Sequence, residues 1–496
     1  MTRISLHHPE IGSGNATFTW SIDPASALYK KNAFSLRFPD RLDLSKISPT
    51  LWWTVFLTSL HTHWLLLKPC TVHLPVRLRP GHIELWKRLL DAEMSTADAY
   101  RSEPLMQGSV EFFEEGEMLP PPAGISDGGL CATSFSSGKD SLLQTGLLTE
   151  LAKKPILVAT TSPMEGKHDH TTARRFKNFS QIQTRKNVEF IEVHSDYRTI
   201  LDNAFSTRLG YNFSVNEISD TLLYTASLIA AGVAAGATHL FMASEAEVQE
   251  NAEIGGKTIQ HKHFMYSAVT QRAIHALLGA EGVSYGSLTS PLHNYAHVQT
   301  LLWTRYQEIS DLQYSCWRVG PDDWTCSRCS SCFRNAMCAL AAGGNPQRMG
   351  IDLVELFLAN KDWNPRTPPE DNGELLPTQN VAPKDDLQLV RFIQQVPLRR
   401  VLGIVAGRRP KRPLPEKARA ALRGYAQLRK RIAALPPAKN PGYRHGFLKQ
   451  LDPMLRDKVA AIYSSHFQPE PEDDYAGILH RSEALADWIC EPLHHA

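Results

Sequence analysis

Residues 134–141 read Ser-Phe-Ser-Ser-Gly-Lys-Asp-Ser, after the apolar LCAT and before a helical pattern. A chain that leaves a strand through small residues and enters a helix presents several backbone N–H groups at the helix start. Such a turn suits an anion, above all phosphate. The rival reading is an ordinary strand–turn–helix junction with Asp140 or Ser136 as N-cap. The spacing fits neither a Walker loop nor the GxGxxG of a dinucleotide fold.

A second constellation is CWRVGPDDWTCSRCSSC, which contains Cys316, Cys326, Cys329 and Cys332 in a C-x9-C-x2-C-x2-C pattern. Four thiolates with two tight C-x2-C steps suit one tetrahedral Zn²⁺. An iron–sulfur cluster is the alternative. A site closed by four cysteines has no open position for substrate, so its expected role is structural. Cys338, six residues past Cys332, falls in a helical pattern and reads as core. Cys70, Cys131 and Cys490 are scattered and read as buried thiols.

Other residues could take part in chemistry. Glu245, Glu247, Glu250 and Asn251 lie in an acidic stretch after THLFMAS. They suit a Mg²⁺ ion or a substrate amine, or else form a solvated loop. His261, His263 and Tyr266 follow as acid or base candidates, or as capping and core residues. Ser287, Thr289 and His293 precede a helix and are candidate lining of an acceptor pocket. Arg174 and Arg175 either reach phosphate or form a wet helix face.

These residues need elements to hold them. From residue 130 short apolar strands (LCATSF, PILVATT, KNVEFIEV, THLFMAS) alternate with helical runs, including one from Asp140 to about Leu151. That alternation predicts an α/β fold with a doubly wound parallel sheet, whose ligands sit beyond the strand carboxyl ends. Residues 1–125 read as an α+β domain, with strands in ATFTWSI and TVHLPVRL around an apolar helix, LWWTVFLTSLHTHWLLL. The Pro- and Gly-rich stretch 118–129 marks the boundary. Residues 126–345 form the central domain, and 346–496 a basic, mainly helical extension. Within that extension 398–431 is a charged stretch. It suits an amphipathic helix pair or a partner-docking tail, with nucleic acid as a weaker reading because aromatic residues other than Tyr425 are missing from it.

The 496 residues imply two or three domains, and 42% hydrophobic content supports sizeable cores. A net charge of +2 argues against a global field for nucleic acid. The N-terminus lacks the apolar segment of a secretion signal, and the most apolar run meets His-Thr-His too soon to span a bilayer. A cytoplasmic protein with no membrane partner is expected.

The turn resembles the PP-loop of the ATP pyrophosphatases, Ser-Gly-Gly-x-Asp-Ser. Ser136, Gly138, Asp140 and Ser141 match, while Ser137 stands at the first glycine. In that family the loop cradles the pyrophosphate of ATP and an acceptor oxygen takes AMP. The resemblance implies ATP and Mg²⁺ as cofactors, Asp140 at the metal, and Ser136, Ser137, Gly138 and Ser141 around phosphate. Lys139, at a variable position of the motif, touches phosphate or points to solvent. A PP-loop followed by the four cysteines resembles the 7-cyano-7-deazaguanine synthases (QueC-like proteins) over roughly residues 130–345. These adenylate a carboxylate, admit ammonia and form a nitrile. The resemblance implies a ligase or synthase that acts on a small-molecule or protein-linked carboxylate or amine. Deazaguanine-type modification and anti-phage defence are the implied settings, and a protein partner on the basic extension is also implied. A second resemblance is to the ATP-dependent epimerases of UDP-muramoyl-dipeptide glutamate, in which Glu245 and His261 line up with catalytic motif positions. The Tyr-Ser-Lys of that motif is replaced by His263, Phe264 and Met265. A non-catalytic nucleotide-binding subunit of a defence complex is the third reading.

Overall fold

The structure, a computed structural model, describes residues 1–99, 108–120, 129–162, 170–210, 215–246, 252–254, 257–259, 264–314, 316, 324–361, 383–407, 413–435 and 442–494. Its first strands are β1 (Thr2–Leu6), β2 (Glu10–Gly12), β3 (Asn15–Asp23), β4 (Ala33–Arg37), β5 (Cys70–Leu74) and β6 (Val110–Glu114). The second set comprises β7 (Leu130–Ser134), β8 (Ile156–Thr161), β9 (Glu189–Ser195), β10 (Ala237–Phe241), β11 (Ala252–Ile254), β12 (Lys257–Ile259) and β13 (Ser284–Gly286). β11 and β12 make a separate antiparallel ribbon.

The other eleven strands form one sheet, ordered β13-β10-β7-β8-β9-β4-β3-β1-β5-β6, with β2 paired to β3. The section from β13 to β9 is parallel throughout. Successive residues of its strands split between two cores: Ala132, Ile156 and Val158 pack on one side, Cys131 and Leu157 on the other. A strand with period-two side chains that are apolar on both faces must be covered on both faces, which is why these segments read as continuous apolar runs. The helix Val215–Ala234 covers the first face, and the helix Lys139–Leu151 lies with the second core.

The sheet as a whole is mixed: the parallel section expected of the central residues is continued by strands that the sequence suggests belong to a separate α+β domain. The edge strand β9 is not left open: β4 pairs with it antiparallel, Leu36 opposite Ser195, and carries the sheet on through β3 and β1. An open parallel edge exposes a row of unpaired backbone groups, and the first 100 residues supply its partner. The apolar helix Pro49–Trp64, capped by the Ser48 hydroxyl with Pro49 in its first turn, is buried from Thr50 to Trp64. It packs against Val215–Ala234, so its hydrophobicity all round reflects a position inside the molecule. Among the described residues no helix is long and apolar enough to cross a membrane.

The described residues beyond 346 are largely helical. The helix Glu416–Ala433 buries Ala421, Tyr425, Leu428 and Ile432, and the Tyr425 hydroxyl donates to the Val396 carbonyl at 3.1 Å. Lys417, Arg419, Arg423, Lys430 and Arg431 are exposed, an amphipathic arrangement, while Arg429 is half-buried and donates to the Gln394 carbonyl at 3.4 Å. The last helix, Ala476–His494, packs against His82–Ala99 and Ala268–Gly279 and thereby ties the C-terminal section to the first 100 residues and to the central section.

Candidate functional site

The chain lays down β7, β8 and β9 outward in one direction, then returns to place β10 and β13 on the other side of β7. The order therefore reverses between β7 and β10, the position at which open α/β sheets bind ligands beyond their strand carboxyl ends. The turn at 135–138 leaves β7 at that position, and the loop carrying Glu245 leaves β10 beside it.

Gly138 occupies the N-cap position of the helix Lys139–Leu151 and has no side chain to make a capping hydrogen bond, so neither Asp140 nor Ser136 is the N-cap. The hydroxyls of Ser136 and Ser141 lie 3.2 Å apart. The Gly138 N–H donates to Ser136 Oγ at 3.3 Å, and the Ser136 N–H donates to Ser141 Oγ at 3.3 Å. Ser137 has φ +64°, a left-handed conformation that favours glycine. Its side chain is wholly buried and turned away from the crevice: Asn178 Nδ2 donates to Ser137 Oγ at 2.5 Å, and that hydroxyl reaches the Leu312 carbonyl at 3.3 Å. Ser137 is an anchor of the turn rather than an extra donor within it.

Lys139 does not point to solvent. It is 5% exposed, and its ammonium contacts Asp140 Oδ1 at 2.6 Å, Asp140 Oδ2 at 2.5 Å and Glu245 Oε1 at 3.3 Å. The same nitrogen lies 4.5 Å from the centre of the Tyr295 ring, and the Arg334 guanidinium lies 5.5 Å from it. Tyr295 itself has φ +53°, a strained conformation for a non-glycine residue. Sequence reasoning missed both Tyr295 and Arg334. Neither carries a motif signal, and only the fold brings them to the turn.

The charges are mutually dependent. Burial pushes the Asp140 carboxyl well above its ordinary range, and the neighbouring Glu245 carboxylate adds to this against the pull of Lys139. For Glu245 burial works upward, but Lys139 and a hydrogen bond from Asp140 outweigh it and hold the group below the usual value. Burial disfavours the Lys139 cation, yet the two carboxylates hold it charged. Burial and mutual repulsion thus oppose ionisation of the Asp140 carboxyl, while the adjacent Lys139 cation favours it. When deprotonated, the pair presents oxygens suited to a hard divalent ion.

The loop after β10 is held by residues expected at the acceptor pocket. The Ser244 N–H donates to Ser287 Oγ at 3.1 Å and Thr289 Oγ1 at 3.0 Å, and both hydroxyls return bonds to the Ser244 carbonyl. Ser244 Oγ donates to the Tyr266 carbonyl at 2.6 Å. His293 lies 3.4 Å from Glu470, which also accepts from Arg444 Nε at 3.0 Å, and Arg444 Nη1 reaches the Ala246 carbonyl at 3.4 Å. Ser287, Thr289 and His293 thus shape the loop that presents Glu245. The C-terminal extension supplies two of the buttressing side chains, a role its sequence does not suggest. Glu247, Glu250, Asn251, His261 and His263 lie outside the described residues, as do the side chains of Arg174 and Arg175.

The ligand atoms of Cys316, Cys326, Cys329 and Cys332 all lie within 4.8 Å of one another. Cys329 Sγ and Cys332 Sγ are 3.5 Å apart, and Cys326 Sγ and Cys332 Sγ 3.9 Å. Four sulfurs about 2.3 Å from one zinc ion have tetrahedral edges of about 3.8 Å, so the donor set fits a single such ion better than a cluster spread over several irons. Backbone N–H groups already point at the sulfurs: Cys326 to Cys316 at 3.3 Å, Cys329 to Cys326 at 3.4 Å and Cys332 to Cys329 at 3.5 Å. Cys329 also caps the helix Ser330–Ala341, whose positive end favours thiolates. Cys338 is buried in that helix as core.

Comparison with protein-family models and with curated proteins returns no match.

Proposed function

We propose that the protein is an ATP-dependent adenylating enzyme of the PP-loop type that activates a carboxylate, releases pyrophosphate and passes the acyl group to an amine or ammonia. The observation that carries this reading is the meeting of the turn at 136–141 with Glu245 at the strand-order reversal. The parallel strand order, the unsealed helix start at Gly138 and the four-cysteine centre support it. Zinc held by Cys316, Cys326, Cys329 and Cys332 would cross-link the segment before Cys316 to the helix Ser330–Ala341. The acceptor is a small-molecule or protein-linked carboxylate, in keeping with the deazaguanine-type resemblance. The basic face of Glu416–Ala433 is the surface proposed for a protein partner.

In this reading the helix-initial amides and the hydroxyls of Ser136 and Ser141 hold the β- and γ-phosphates. Asp140 and Glu245 would hold Mg²⁺, which when bound neutralises charge on the departing pyrophosphate. Lys139, fixed between both carboxyl groups, favours their ionised forms against burial and brings a positive charge to the same oxygens. Tyr295 covers the Lys139 ammonium and limits its access to water. Product analysis tests the assignment: AMP and pyrophosphate are expected with the true acceptor, and Asp140→Asn is expected to lower kcat on the order of 10²-fold. ADP and phosphate as products, or unchanged turnover by Asp140→Asn, would overturn it.

A further inference from the structure

The residue at the first glycine position of the turn is tied to the polypeptide that enters the cysteine centre. Besides the Asn178 and Leu312 contacts of its side chain, the Ser137 carbonyl accepts from the Tyr314 N–H at 2.7 Å. Asn178 Nδ2 bonds both ends of the link, donating to Ser137 Oγ at 2.5 Å and to the Leu312 carbonyl at 2.6 Å. Ser137 and Asn178 are fully buried, so these bonds do not compete with water.

The opposite side of the same segment is tied to the metal helix. Gln313 Nε2 donates to Gln299 Oε1 at 3.1 Å, and Gln299 Nε2 donates to Gln313 Oε1 at 2.6 Å and to Asn335 Oδ1 at 2.8 Å. Asn335 lies on Ser330–Ala341, the helix capped by Cys329. Cys316 follows Tyr314 by two residues, and its sulfur accepts the Cys326 N–H. Residues 312–314 therefore form a strut with the phosphate turn on one side and the thiol cluster on the other.

We propose that metal occupancy of the four-cysteine centre sets the conformation of the phosphate turn through this strut, with Asn178 as the positioning residue that clamps the two together. A serine at φ +64° persists only while its surroundings hold it there. Without an ion at the four sulfurs, Cys316 and the helix Ser330–Ala341 lose their cross-link. The strut then moves, and Ser137 relaxes toward ordinary backbone angles and withdraws the amides of the turn. Linkage makes the effect reciprocal: an anion that orders the turn tightens the metal by the same factor. The anion's identity as nucleotide rests on the reading above; the coupling does not.

Two measurements on the full-length protein test this. Hydrogen exchange of residues 136–148 is compared in zinc-loaded and chelator-stripped protein. Zinc release to a colorimetric chelator is then timed with and without Mg-ATP, and with pyrophosphate alone. In the wild type, stripping is expected to raise exchange at the turn, and Mg-ATP to slow zinc release about fivefold or more. Asn178→Ala should abolish that slowing. Ser137→Gly, whose backbone adopts positive φ unaided, should bind ATP yet lose most of its dependence on zinc. Exchange at the turn that is indifferent to zinc, or Ser137→Gly as zinc-dependent as the wild type, would overturn the proposal. Failure of ATP to bind any form would instead count against the nucleotide reading, with the exchange comparison still deciding the coupling.

Discussion

The Lys139 ammonium lies 3.3 Å from Glu245 Oε1, joining a helix start after β7 to a loop after β10, 106 residues apart in sequence. The contact converts two neighbouring strand ends into one charged cluster, and it accounts for a lysine that the chain buries at considerable desolvation cost.

Burial raises Asp140 and repulsion from Glu245 adds to it, so in the proposed reading Glu245 also influences the pH at which the pair accepts a divalent ion. If Asp140 holds Mg²⁺ as proposed, protons compete with the ion for it, and Mg²⁺ affinity should rise as pH passes upward through the raised Asp140 value. Glu245→Gln removes the repelling charge. The expected result is weaker Mg²⁺ binding overall, with its pH midpoint moved to lower pH. Mg²⁺ titration of ATP binding between pH 5 and pH 9 checks this, and an upward or absent shift of the midpoint would count against the coupling of Glu245 to Asp140.

One zinc ion per chain is expected by elemental analysis. Cys329→Ser removes a ligand and the helix cap together, so it should lower the melting temperature strongly and reduce soluble yield, since structural zinc contributes folding energy directly. Iron, or no metal, in the purified protein would refute the assignment.

His63 sits between two tyrosines, 3.0 Å from the Tyr29 hydroxyl and 2.9 Å from that of Tyr197, where the first 100 residues meet the central sheet. Burial lowers its pKa to about 3, and nearby His61 adds to this. The unfolded chain binds this proton near pH 6.5, so the stability from neutral His63 is complete above that pH and is lost as pH falls toward 3. Between pH 6.5 and pH 5 this one group costs about 2 kcal/mol. His63→Gln keeps hydrogen-bonding atoms between the tyrosines without a titrating group. Urea unfolding at several pH values should therefore show a flatter acid limb for His63→Gln; a limb as steep as that of the wild type would exclude His63 as its cause.

The parallel section was legible because both-face burial leaves continuous apolar strands such as ILVATT, and the thiol cluster because its ligands are close in sequence. The merging of the first 100 residues into the same sheet was not legible. Pairing of β4 with β9 depends on two edges meeting across 150 residues, and alternation within each strand carries no partner information. Among the site residues, Asp140 and Glu245 could be picked out by type and position beyond strand ends. The burial of Lys139 could not, because it arises from Tyr295 and from a carboxylate on another loop. Asn178, Arg334, Arg444 and Glu470 reach the site loops only through tertiary packing, so no local pattern marks them. The Pro/Gly-rich boundary lies mostly at 121–128, outside the described residues.

The most direct test of the central claim is acceptor-dependent exchange of labelled pyrophosphate into ATP. It would be measured in parallel with 7-carboxy-7-deazaguanine, with UDP-muramoyl-Ala-Glu and without acceptor. Adenylation of a planar carboxylate gives exchange with the first compound, dependence on Asp140, and no solvent deuterium at any α-carbon. Exchange with the dipeptide alone, accompanied by deuterium in its terminal glutamate, would establish an epimerase instead. Tight ATP binding with no exchange under any condition, across a panel of small-molecule and protein-linked carboxylates, would contradict adenylation altogether.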